Sequence, residues 1–385
     1  MTSKVVLKGA RLLDPVEGLD QTADLEVVDG TITALGPAVS TDGAAVYDCS
    51  GAIVTPGLID GHVHIYEDVG FNGIDPDVLG IGSAVTTVVD AGSAGAATFA
   101  GLRRYVMSRA KTNVLALLHV ATNKMGMGAH EYSSVKAMDE DLIARIVEDN
   151  RDRIIGLKLR ACEWHGDPAD HPLRRAVRLG EKLKLPVMVH IGQRPADMDG
   201  EPASIRDVVK ILRPGDIVTH LFTAYPGGLL DGNGRLQPDV REAYNAGLRF
   251  DLGHGLYNMS FDTAARVLDQ GVEPHSVSTD GHKGARHHLV YDLPTTMAKM
   301  LHLGYTLPQL VRKTTYDIAE SLGHPELVPG IAVGRPANLS VLRLEDVEWT
   351  AEDSTGKKVS TQQQLRPVMS VMGAEVHQAQ PVDLQ

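Results

Sequence analysis

Cysteine is almost missing from this 385-residue chain, with Cys49 and Cys162 as the whole complement. Two thiols cannot make a disulfide framework, so the fold must rest on a buried core, and a reducing, cytoplasmic setting is expected. Positive charge is also short: 37 Lys and Arg stand against 49 Asp and Glu, a net charge of −12. That balance argues against nucleic acid or an anionic membrane as a partner. No long apolar run reads as a membrane span. The best stretch, residues 78–102, carries only the charge of Asp90 but is broken by Gly, Ser and Thr. Residues 1–18 hold Lys4, Lys8, Arg11, Asp14 and Glu17 and have no apolar centre, so they do not read as a secretory signal. Aromatic residues make up 4%, whereas histidine numbers 16, a first pointer to metal chemistry.

What is present suits a packed interior. Hydrophobic residues are 43% and charged residues 22%, and the length fits one large domain or two to three ordinary ones. Short β-like runs occupy residues 5–7, 25–28 and 31–35, with Asp29-Gly30 as a hairpin signal between the last two. The same style returns at 338–343 and 367–372. Both ends therefore predict one small β-sandwich, built from residues 1–54 and 331–385.

Residues 55–330 have another rhythm, in which apolar runs alternate with amphipathic helical stretches. Strands are expected at 58–64, 84–89, 114–120, 154–160, 187–191, 217–222, 248–252 and 276–280. Helices are expected at 139–150, 172–182, 204–212, 238–246 and 261–270, with Ser204 and Asp262 as caps and Gly247 and Gly271 as stops. This α/β alternation predicts a closed (β/α)8 barrel, with an open doubly wound sheet as the alternative.

The histidines fall at strand ends. His62 and His64 are two apart at the end of the first barrel strand, so both imidazoles share a face. His190, His220 and Asp280 close the runs PVMVH, DIVTH and HSVSTD. In a barrel these ends meet on one face, where active sites lie. Neutral imidazoles and a carboxylate together suit a zinc-type site. Lys158 lies inside the apolar run IIGLKLR, where a bare ammonium is costly. Burial that frees its amine would let CO2 add and give an anionic carbamate ligand.

Residues 55–64, TPGLIDGHVH, resemble the first-strand signature of the amidohydrolase superfamily of metal-dependent hydrolases. The order His-x-His, Lys, His, His, Asp is similar to that of its two-metal members, and residues 330–339, GIAVGRPANL, resemble their return to the terminal β-sandwich. The resemblance implies two divalent ions, zinc foremost. His62, His64 and Asp280 would hold the more buried ion and His190 and His220 the outer one, with carboxylated Lys158 bridging them. It further implies attack by a bridging hydroxide, with Asp280 as general base and then acid.

Dihydroorotases of this superfamily place an Arg soon after His-x-His, whereas here the chain runs HIYEDVG from His64 to Gly70. The chain instead resembles the deacetylase group, often labelled dihydroorotase, through residues 74–77, 90–95, 156–160 and 251–255. The implied substrate is a small carboxylate-bearing acylated molecule, an N-acetyl amino acid or O-acetyl 2-hydroxy acid. Arg160 would anchor the carboxylate, His254 would hydrogen-bond the substrate, and Cys162 would serve packing. A cyclic amidase of dihydroorotase or hydantoinase type, and a non-catalytic barrel scaffold, are the alternatives. Assembly into a homo-oligomer is left open by the sequence.

Overall fold

The computed structural model describes residues 3–70, 72–126, 135–161, 167–192 and 203–384. Strands β1 (Lys4–Asp14), β2 (Leu19–Val28), β3 (Thr31–Gly36), β4 (Ala45–Asp48) and β5 (Ile53–Pro56) open the chain. The next seven are β6 (Leu58–Val63), β7 (Val85–Gly95), β8 (Asn113–His119), β9 (Ile154–Arg160), β10 (Val187–His190), β11 (Ile217–Thr219) and β12 (Arg249–Asp251). After the helices come β13 (Asn338–Glu352), β14 (Lys358–Met372) and β15 (Glu375–Gln378).

The two ends of the chain share one mostly antiparallel sheet, in the order β15-β14-β13-β5-β1-β2-β3, with β4 also on β1. The join is direct: Leu339 of β13 pairs with Pro56 of β5, and Leu342 with Ile53. Between β2 and β3, Asp29 and Gly30 both take positive φ, 48° and 81°. Paired left-handed residues give the turn whose twist matches a hairpin. The expected short strands at 338–343 and 367–372 prove to be parts of a longer hairpin. Its outer half carries exposed Glu and Asp with a register shift between Asp346 and Trp349, so no clean alternation marks it.

Strands β6 to β12 form a separate parallel sheet of seven in chain order, curling round a common interior. Residues 276–281 make single parallel bridges to both of its edges, Ser276 to Asp251 and Gly281 to Val63. The Asp60 carboxylate reinforces the second edge by accepting from Thr279 N at 3.0 Å and Thr279 Oγ1 at 2.5 Å. Inside the curl, Ile59, Val89, Leu115, Leu117, Ile155, Met188 and Ile217 form one apolar cluster with Ile318 and Leu322. The helix Tyr316–Ser321 therefore plugs the end of the barrel away from the site. Gly61, between the two motif histidines' strand and this plug, has no room for a side chain, since a Cβ would lie 2.5 Å from Ile318 Cδ1.

Helices run at Glu140–Glu148, Pro172–Leu183, Ile205–Ile211, Pro238–Asn245 and Phe261–Asp269, where the amphipathic pattern predicts them. The last is capped by Ser260, which accepts from Thr263 N, and not by Asp262, which sits in the first turn. Gly247 and Gly271 follow their helices with φ of 97° and 71°, the left-handed geometry of a stop. No helix among the described residues is long and apolar enough to cross a membrane.

Candidate metal centre

Two backbone bonds seat the His-x-His motif against the segment that carries Asp280. His64 N donates to Gly281 O at 2.7 Å, and Gly281 N donates to His62 O at 3.3 Å. Asp280 Oδ1 then lies 3.4 Å from His62 Nε2 and 3.2 Å from His64 Nε2. These three side chains present ligand atoms all within 4.8 Å of one another, a donor set fit for a divalent ion.

A second pair stands next to them. His190 Nδ1 and His220 Nε2 face each other at 2.7 Å, and the rings of His62 and His220 are 5.3 Å apart. Lys158 Nζ, almost fully buried, lies 2.9 Å from His62 Nε2. The residues expected to be ligands thus meet in one place, drawn from β6 and the residue after it, β9, β10, the residue after β11, and residues 276–281.

Each imidazole is held at its far nitrogen. Thr219 Oγ1 lies 3.0 Å from His62 Nδ1, Ser93 Oγ lies 2.9 Å from His64 Nδ1, and Gly253 O accepts from His220 Nδ1 at 2.6 Å. Arg160 Nη1 donates to His190 Nε2 at 3.3 Å. Such partners fix ring orientation and leave the opposite nitrogen for a ligand role. Burial pushes His62 and His190 below the ordinary histidine range, with Lys158 and Arg160 respectively adding to it, and pushes His220 down to about 3. Neutral rings keep a lone pair for a cation at neutral pH. Burial works against the charge of Asp280, yet His62, His64 and His220 hold its carboxyl well below the usual range, so it is ionised.

Backbone geometry at the ligand positions is unusual. His220 and Asp280 take φ of 78° and 50°, rare for residues with a Cβ and common where a site sets the conformation. Two glycines make the room. A Cβ on Gly92 would lie 2.8 Å from Lys158 Cγ, and one on Gly255 would lie 2.5 Å from Asp280 Oδ2.

A cavity opens on this cluster. His64, Lys158, His190 and Asp280 line it together with His119, Lys124 and Arg160. Arg160 Nε is buried without a hydrogen-bond partner among the described residues. Sequence reasoning missed His119 and Lys124. The signal for His119 was present, because it closes β8 as His190 closes β10.

His254, expected to hydrogen-bond the substrate, is held within the fold. It is fully buried and absent from the cavity wall, with Nδ1 on Gly255 O at 2.8 Å and Nε2 accepting from Lys299 Nζ at 3.0 Å. Both nitrogens are bonded within the protein, one to the loop after β12 and one to Lys299. The basic run at 281–288 is likewise partly structural: Arg286 is buried on Asp292 at 3.1 Å. Cys162 lies outside the described residues.

No family model matches the chain. It is 33% identical over 369 residues to a deacetylase of Brucella anthropi, covering 94% of this chain and 89% of that protein. It is 31% identical over 332 residues to a deacetylase of Enterococcus faecalis, covering 85% and 87%. Among solved structures, a dihydroorotase aligns with a TM-score of 0.88 at 30% identity over 99% of this chain and all of that one. An adenine deaminase follows the same path with a TM-score of 0.84 at 28% identity, over 97% and 99% of the two chains. Fold and site together define a metal-dependent amidohydrolase. The chain belongs to the amidohydrolase superfamily, in the group that its deacetylase-named relatives represent.

Proposed function

We propose that this protein hydrolyses the acetyl group from N-acetyl amino acids or O-acetyl 2-hydroxy acids. The observation that carries the reading is the cavity itself, which brings a cluster of candidate metal-ligand side chains together with the basic side chains Lys124 and Arg160 in one lining. The deacetylase names of two long-matching relatives support the acetyl group. Residues 55–330 would act as a closed (β/α)8 barrel, with 276–281 as its eighth stave, braced by a β-sandwich from 1–54 and 331–385.

His62, His64 and Asp280 would hold one ion, zinc first among candidates, and His190 and His220 a second. Lys158, carboxylated by CO2, would join them. When bound, such ions supply a water of lowered pKa and polarise the scissile carbonyl. The chain does the rest. Arg160 and Lys124 take the substrate carboxylate, for which the planar guanidinium is well suited. That anchor places the acetyl carbon beside Asp280. Asp280 Oδ1 accepts the proton shed by the attacking water and returns it to the leaving nitrogen or oxygen as the acyl bond breaks. Acetate and a free amine or hydroxyl are the products.

The test is turnover by metal-reconstituted protein of N-acetyl amino acids, acetylated 2-hydroxy acids, dihydroorotate and hydantoins. Hydrolysis of the acetyl compounds, with KM raised at least tenfold by Lys124→Ala or Arg160→Ala, is expected. Turnover of the cyclic amides alone would replace the reading with a cyclic amidase. Loss of no activity on chelation would refute the metal role.

A further inference from the structure

Behind His62 lies a polar network that the proposed chemistry does not use. Asp251, at the end of β12, is fully buried. Its Oδ1 accepts from Ser276 Oγ at 2.7 Å, and its Oδ2 accepts from Ser278 Oγ at 2.7 Å and from Thr219 Oγ1 at 2.8 Å. Three hydroxyl donors on one carboxylate are what a buried negative charge requires, and an ionised carboxylate can only accept.

That fixes every proton along the line. The Thr219 hydroxyl has one hydrogen and gives it to Asp251. At its 3.0 Å contact with His62 Nδ1 the hydroxyl oxygen must therefore accept, so Nδ1 carries the hydrogen. The other end of the ring is compatible with this, since Lys158 Nζ stands 2.9 Å from Nε2. Asp251 is 3.8 Å from His62 Nδ1, too far for a direct bond, so the threonine hydroxyl is the bridge. The room for it is reserved by Gly253, where a Cβ would collide with Thr219 Oγ1, and Gly253 N in turn donates to Ser278 Oγ at 3.2 Å.

We infer that Asp251 and Thr219 form a positioning relay that holds His62 in its Nδ1–H tautomer and thereby sets the affinity of the inner ion. The inference rests on the reading that His62 is a metal ligand. A negative charge passed through a hydroxyl makes the imidazole a stronger donor at Nε2 and keeps the ring from flipping. Loss of such an outer partner typically costs about 10–100-fold in metal affinity.

Zn2+ titration against a chromogenic chelator tests it. Thr219→Val keeps the shape and removes the hydroxyl, and it should weaken one of the two sites by about 10–100-fold. Thr219→Ser restores the hydroxyl and should bind within about threefold of the unaltered protein, whereas a purely packing role predicts the opposite order. The 15N spectrum of histidine-labelled, metal-free protein reads the tautomer without any variant, and His62 should show a protonated Nδ1. Unchanged Zn2+ affinity in Thr219→Val, failure of Thr219→Ser to restore it, or a His62 protonated at Nε2 overturns the relay. Any of these, with acetyl hydrolysis intact, leaves the proposed function standing. An unaltered protein that neither binds Zn2+ nor cleaves acetyl substrates removes both.

Discussion

At the scale of single residues, the site is made by what surrounds the ligands as much as by the ligands. Gly255 shows this. It stands at φ 54°, and a Cβ there would press on Asp280 Oδ2 at 2.5 Å. Gly255→Ala should displace the carboxylate and lower kcat by about 10-fold or more, with little change in KM, in steady-state assays. Lys158 offers a sharper chemical test. Lys158→Ala should lose bound metal and activity together, and added short carboxylic acids should restore part of both by supplying the missing oxygens. Full activity in the alanine variant would remove the carbamate from the account. His254 marks the limit of local reading: a histidine between glycines just past a barrel strand has the signature of a ligand. Only the fold reveals that Lys299, 45 residues on, has already taken its Nε2.

Among elements, the helix Tyr316–Ser321 matters out of proportion to its length, because Ile318 fills the barrel interior beneath the His-x-His strand. Ile318→Ala should cost about 2–5 kcal/mol in urea unfolding, as other large-to-small changes in cores do. The strand β12 and the segment after it carry an acid sensitivity. His275 Nδ1 accepts from Phe250 N at 3.1 Å, and burial, with Arg249 and Lys313 nearby, pushes its pKa down to about 4. The folded state thus favours the neutral ring. This contribution is complete above the unfolded value of about 6.5 and is lost as pH falls from there through 4. Partial exposure reduces it to about 1–2 kcal/mol. Urea midpoints in chelator at pH 7 and 4.5 should therefore converge in His275→Asn relative to the unaltered protein, and an equal drop in both would contradict the assignment.

The elements also show what the sequence made legible. Strand ends that carry His62, His190 and His220 were readable because apolar runs stop at a polar residue where a barrel puts its chemistry. His119 obeys the same rule. The outer half of the β13–β14 hairpin was not readable, since exposed Asp346 and Glu348 and a register shift hide its alternation. Nothing local shows that Thr219 and Asp251 act on His62. Their meaning comes from three strands meeting behind His62, a contact spanning 157 residues between His62 and Thr219.

For the whole molecule, the terminal sheet meets the barrel sheet where Leu58 N of β6 donates to Ser340 Oγ of β13 at 2.9 Å, and buried Lys299 donates both to Leu289 O at 2.6 Å and to Glu352 O at 2.8 Å. The ligand cluster draws on five separate parts of the chain, so ions that bind it should stabilise the whole fold. Removing them with a chelator should lower stability by roughly 4 kcal/mol if free metal stands a thousandfold above its dissociation constant, seen as a fall in Tm that added Zn2+ reverses. The most direct measurement is an anomalous-scattering map at the zinc edge from metal-replete crystals. The account predicts two peaks, one among His62, His64 and Asp280 and one between His190 and His220, with density extending from Lys158 Nζ toward both. A map without peaks there, or with zinc only at other places on the surface, would contradict it.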